Sequence, residues 1–177
     1  MSGDAGASGA VAVIDFGIAG SVTDWRAIDD RVMGGVSRSR MRHDPEGHAC
    51  FEGTVSLDRG GGFASVRAPV GPVGGDSTQG LRLVVMGDGR RYRLALVSAD
   101  APDGVVYQAD FEPTAGVWSS IELPLSTFVA RLRGRGVPDA PPLRAARVRQ
   151  IGLLIGDRQA GPFVLALRRI ESLPGGG

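Results

Sequence analysis

Short apolar runs in this chain repeat at every second residue, and glycine or proline soon interrupts each of them. Phe51, Val55 and Leu57 share one parity, as do Leu81, Leu83 and Val85, and then Tyr92, Leu94 and Leu96. A period of two puts each set on one face of a strand, and that face must meet a second layer to leave water. Ile151, Leu153 and Ile155 repeat the pattern, followed by Phe163, Leu165 and Leu167. The alternation predicts strands near 80–86, 91–97, 105–111, 117–123, 148–155 and 163–170. In the join MGDGRRY, Asp88-Gly89 suits a two-residue turn with positive φ, so 80–86 and 91–97 are expected to be antiparallel neighbours.

Long amphipathic helices are missing from the pattern. Residues 126–133 or 143–149 have room for one or two turns, too little for the crossovers of a parallel sheet. The expected fold class is therefore all-β, an antiparallel two-sheet sandwich. Glycine supplies 28 of the 177 residues, and 11 prolines accompany it, which implies many sharp turns. The ends, 1–10 and 174–177, are small and polar and are expected to be loosely held tails around one domain over 11–173. The Gly/Pro/Arg-rich interval 130–142 is the expected long loop.

Composition removes several chemistries. All 20 basic residues other than histidine are arginine, so Schiff-base lysine chemistry and the phosphate-loop lysine are excluded. Asparagine is also absent, which excludes N-glycosylation. Cys50 is the only cysteine, so the chain has no internal disulfide and no cysteine-rich zinc site. The net charge of +1 offers no bulk attraction to nucleic acid, and none is expected as a partner. No apolar run is long enough for a transmembrane segment, and the first residues do not read as a signal peptide. A cytoplasmic location is the expectation.

The densest polar cluster is WRAIDDRVMGGVSRS. Asp29 and Asp30 are adjacent and would face opposite sides if extended, so they do not make an acid–base pair. A structural loop in which Asp30 accepts main-chain N–H groups competes with a ligand or partner surface that includes Arg31 and Ser37. In RGGGFASVR, Gly60 to Gly62 lack a phosphate-loop pattern and read as a bulge or crossing point before a strand. His43 and His48 bracket a turn and are expected to be exposed, since their spacing matches no zinc motif. Cys50 reads as a small buried filler. Ser37, Ser56 and Ser65 lack a nucleophile elbow.

Arg131, Arg133, Arg135, Arg144, Arg147 and Arg149 fall close together with Asp139 as the only acid among them. Such a run is either a solvated loop or a patch for a partner protein or anion. Tyr92, Tyr107, Trp25 and Trp118 could pack internally or form a sugar-stacking platform, with Arg93 and Gln108 as its polar groups.

Read together, WRAIDDRVMGGVSRS, FEGTVSLDRGGGFASVR, GDGRRYRL, YQADFEP, GVWSSIELPLSTFVARLRGR and IGLLIGDRQAGPFVLALRRI resemble the 30-kDa complex I intermediate-associated protein family. The family pattern falls on Asp30, Val32, Met33, Gly34, Gly35 and Ser37, then on Gly61, Gly62, Phe63, Ser65 and Arg67, then on Gly87, Asp88, Gly89 and Tyr92. The resemblance implies a galactose-binding-like jelly roll and a protein-binding or assembly role without catalysis, as in mitochondrial members that serve respiratory complex I. The absence of a transit-like extension, Asp58-Arg59 in place of an Asn-rich turn, and Asp29 in place of Asn point to a compact bacterial homologue. The expected ligand or partner-binding set is Asp30, Arg31, Ser37, Arg67, Arg93, Tyr107, Gln108, Arg131, Arg133 and Arg135. A respiratory-complex assembly component is the expected partner, and a carbohydrate held in an aromatic and polar groove on the concave sheet face is the alternative. Catalytic residues, metals and cofactors are not expected.

Overall fold

A computed structural model of the chain describes residues 10–28, 37–58 and 61–175. Its strands are β1 (Val11–Asp15), β2 (Arg26–Ala27), β3 (Arg38–Asp44), β4 (His48–Val55), β5 (Ala64–Pro69), β6 (Thr78–Met86) and β7 (Tyr92–Ser98). There follow β8 (Val105–Phe111), β9 (Trp118–Pro124), β10 (Val129–Leu132), β11 (Arg135–Gly136), β12 (Val148–Ile155) and β13 (Gly161–Pro174). One sheet runs β3-β4-β13-β6-β9, with β1 also paired to β13, and the other runs β11-β10-β8-β7-β12-β5-β2. Every strand pair is antiparallel.

The two inner faces form the core, and the period-two sets supply it. Phe51, Leu81, Leu83, Leu94, Leu96, Ile151, Leu153, Leu165 and Leu167 are fully buried. Removing such side chains from water supplies roughly 1.5–3 kcal/mol apiece, so the alternation read from the sequence is also the main source of stability. The strands expected at 105–111 and 148–155 match end to end, whereas the last strand runs on to Pro174.

The expected hairpin between 80–86 and 91–97 does not form. β6 pairs with β13 and β9, while β7 lies in the other sheet between β8 and β12. Asp88-Gly89 does turn the chain, and Gly89 takes a φ of 91°, but the turn is a corner between sheets. The Asp88 carboxylate accepts the Tyr92 hydroxyl at 3.0 Å, the Arg90 N–H at 3.2 Å and the Val164 N–H at 2.8 Å. It thus satisfies a β13 donor and anchors the first residue of β7, which ties the corner to both layers.

The two expected helical stretches shrink to single 3-10 turns, Leu125–Thr127 and Ala145–Arg147. Neither segment offers a repeated apolar stripe to bury, and an isolated helical turn is too short to be stable by itself. The interval 130–142 contains the end of β10 and all of β11 before its irregular stretch begins. The 43–48 turn forms as expected, but His48 is only 9% exposed, and His43 turns inward to donate from Nε2 to the Phe16 carbonyl at 2.9 Å.

Candidate functional site

Alternation that fills the core on one side leaves the opposite parity on the outside of each sheet. Across the seven-stranded sheet this places Val129, Gln108, Ala95, Gly152, Arg67 and Arg26 in one row from β10 to β2. The adjacent row contains Arg131 and Val106, and, across β12, Val97, Gln150 and Pro69. The row on the other side contains Asp110, Arg93, Leu154 and Ser65. Ala95, Val97 and Gly152 make a floor of small, buried residues with long polar side chains on either side. A Cβ on Gly152 would sit 2.8 Å from the Val66 carbonyl oxygen, so β5 and β12 approach there in a way only glycine allows.

The polar groups around this floor are incompletely satisfied. Gln108 Oε1 and Arg131 Nε are both buried and have no hydrogen-bond partner among the described residues. Burial lowers the pKa of the Arg67 guanidinium, and no described acid pairs with it. Arg93 differs: it donates to Asp110 at 2.8 Å and to Asp157 at 2.9 Å, so it braces the face and is not a free donor. A buried polar atom without a partner costs about 1–3 kcal/mol.

Four of the sequence-predicted site residues, Arg67, Arg93, Gln108 and Arg131, therefore share one outer face. Tyr107 does not join them. It is 3% exposed on the core side, and its hydroxyl donates to the Pro141 carbonyl, holding the 137–143 segment against β8. Arg133 and Arg135 belong to the β10–β11 hairpin tip, where Arg133 and Gly134 have φ values of 53° and 82°. Ser37 is fully buried and ties two segments together, accepting the Ser56 N–H at 2.9 Å and donating to the Ser56 carbonyl at 3.2 Å. Asp30 and Arg31 lie outside the described residues.

The expected aromatic platform is dispersed. Tyr92, Tyr107, Phe111 and Trp25 are core residues. Trp118 is on the outer face of the other sheet, with the Arg168 guanidinium 4.0 Å over its ring and His48 edge-on to it at 5.2 Å. That second sheet also has a shallow depression of about 430 Å³ lined in part by Arg38, Arg40, Glu52, Thr54 and Val164. Arg40 and Glu52 pair across it at 2.7 Å and so satisfy each other.

His48 is the residue the sequence reading missed. It shares parity with Cys50 on β4 and stands opposite Asp44 on β3, so three metal-type donors meet at one end of a hairpin. The signal was present in the alternation, because residues 48 and 50 on one strand must share a face.

The sequence model of the family described as Complex I intermediate-associated protein 30 (CIA30) matches residues 14–167. A protein of Schizosaccharomyces pombe described as uncharacterized is 28% identical over 175 residues, covering 85% of this chain and 78% of that protein. Among solved structures, the family 11 carbohydrate-binding module of Clostridium thermocellum, determined with a mixed-linked tetrasaccharide, aligns with a TM-score of 0.67 at 17% identity. That alignment covers 94% of this chain and 96% of the module. A family 29 carbohydrate-binding module variant aligns with a TM-score of 0.55 at 9% identity, covering 94% of this chain and 86% of its own. An exo-β-agarase aligns with a TM-score of 0.59 at 10% identity over 94% of this chain, but over only 25% of the enzyme. At these identities the likeness is one of fold, the jelly-roll sandwich.

Proposed function

The chain belongs to the complex I intermediate-associated protein 30 (CIA30) family, and from that membership together with its surface chemistry we propose a non-catalytic module that binds an acidic segment of a partner protein. The binding surface is the outer face of the seven-stranded sheet. The observation that carries this reading is that Arg67 on one side, and Gln108 Oε1 and Arg131 Nε, both without a described partner, on the other, flank a floor of small side chains on one sheet face. An arginine held in a partly desolvated position with no acid among the described residues beside it suits a carboxylate from another chain, because charge-assisted pairs are stronger away from bulk water. Gln108 then supplies a neutral acceptor for a backbone or side-chain N–H. The family's description suggests a component of respiratory-complex assembly as the partner class.

Catalysis finds little support on this face. Its paired acids, Asp110 and Asp157, are both held by Arg93.

The test is affinity capture with the intact chain and with a variant carrying Arg67→Ala, Gln108→Ala and Arg131→Ala, each verified as folded by its thermal transition. A defined partner that is retained by the intact chain, weakened by salt and lost with the triple variant supports the reading. Equal retention by the triple variant, together with loss on neutralising Arg133 and Arg135, moves the contact to the hairpin tip and overturns it.

A carbohydrate ligand is the second reading, motivated by the fold shared with carbohydrate-binding modules. The aromatic half of the expected groove is missing from the seven-stranded face, so a sugar there would depend on hydrogen bonds from Arg67, Arg131 and Gln108. Saturable binding in a glycan titration, abolished by the same triple variant, would favour it over a protein partner.

A further inference from the structure

On the opposite side of the molecule, the outer face of the six-stranded sheet brings together Asp44, His48 and Cys50. β3 and β4 form a hairpin in which Asp44 pairs with His48 and Arg42 pairs with Cys50. Residues 44, 48 and 50 thereby point the same way at one end of the ladder. Their donor atoms, a carboxylate oxygen, an imidazole nitrogen and the thiol sulfur, all lie within 4.8 Å of one another.

We propose that this cluster is a binding site for one divalent zinc-type cation. The donor set supports a borderline-soft ion, since magnesium and calcium demand oxygen ligands throughout. A tetrahedral zinc with bonds of about 2.0 Å to nitrogen and 2.3 Å to sulfur places its ligands about 3.5 Å apart, within reach of small side-chain rotations from the observed spacing.

The surroundings orient each donor. The Asp44 carboxylate accepts the Glu46 N–H at 2.9 Å and the Arg42 guanidinium at 3.1 Å, which fixes its plane and leaves lone pairs free. Trp118 meets the His48 ring edge-on at 5.2 Å, limiting its rotation. Cys50 is 3% exposed, so its sulfur is shielded from competing partners. The two positive charges of the ion meet the Asp44 carboxylate and the Cys50 thiolate, while Arg42 is shared between Asp44 at 3.1 Å and Glu52 at 3.0 Å. Binding displaces the thiol proton to solvent, forms a sulfur–metal bond and changes no oxidation state. Three protein ligands leave a fourth position for water or for a donor from another molecule.

The experiment uses the intact chain stripped of metal and titrated with zinc against a chromogenic chelator, and separately with cobalt(II) to detect thiolate coordination by absorbance. One equivalent is expected to bind, with a thiolate-to-cobalt charge-transfer band. Cys50→Ser should abolish the band. Cys50→Ser and His48→Ala should each weaken zinc binding at least about tenfold, since even residues that only support a ligand cost that much. Asp103→Asn, an exposed acid in the turn before β8 in the other sheet, should leave both signals unchanged. Circular dichroism on each variant separates loss of the site from loss of the fold. Failure of the intact folded chain to bind, or zinc binding that survives both ligand substitutions unchanged, overturns the proposal.

Discussion

Arg67 presents a conflict between stability and recognition. Its guanidinium lies on β5 where burial disfavours the charge, and no described acid offsets that cost. Arg67→Met keeps the length of the side chain and removes the charge. The variant should be more stable in denaturant titration by about 1 kcal/mol while losing affinity for the partner, the trade expected when a group is kept for binding. Asp88 is the opposite case, a polar residue kept for structure. It accepts from Tyr92, Arg90 and Val164 at the corner between the sheets, so Asp88→Ala strands donors from both layers. A loss of about 2–4 kcal/mol is expected from the shift in denaturation midpoint. A negligible shift would show that water replaces the carboxylate without cost.

Among the elements, the β10–β11 hairpin shows local geometry at odds with local sequence. Leu132 pairs with Arg135, which leaves Arg133 and Gly134 as a two-residue turn with positive φ at both positions. That geometry favours Asn-Gly, and arginine adopts it at some cost. Arg133→Asn should raise stability by about 0.5–1 kcal/mol in thermal or chemical unfolding. Partner capture through the seven-stranded face should not change, because Arg133 is at the hairpin tip. The same element shows why 130–142 reads as a loop in the sequence: four residues of β10 and two of β11 are too few to display an alternation. His48 and Cys50 were separable from the turn by parity alone, yet their meeting with Asp44 depended on the register of β3 against β4.

For the whole molecule, the lack of lysine makes alkaline behaviour unusually simple. Burial, with Asp88 close by, pushes the Tyr92 phenol far above its ordinary value of 10.0. Burial, with Asp100 contributing, also raises Tyr107, and burial raises the Cys50 thiol above 9.0 against the opposing pull of Arg42. Each native group holds its proton where the unfolded chain has released it, so stability is complete below the ordinary values and falls as pH rises past them. Each group steepens that fall by up to about 1.4 kcal/mol per pH unit. Tyrosinate absorbance should therefore appear together with the loss of near-ultraviolet circular dichroism, above about pH 10. Tyrosinate formed in a still-folded chain at the ordinary value would contradict the burial of both phenols.

Strand faces, core composition and the antiparallel sandwich were determined by the sequence itself, because side-chain alternation is a local property of an extended chain and needs no knowledge of neighbours. The assignment of each strand to a sheet was not. Asp88-Gly89 looks the same whether it closes a hairpin or turns a corner, and only the pairing of β6 with β13 and of β7 with β12 decides between them. Likewise, Arg67, Gln108 and Arg131 come from β5, β8 and β10, and the sequence does not contain their placement on one sheet face in any local window. The sheet-face site exists because distant strands pair in one register, whereas the Asp44, His48 and Cys50 cluster needs only the register of one hairpin.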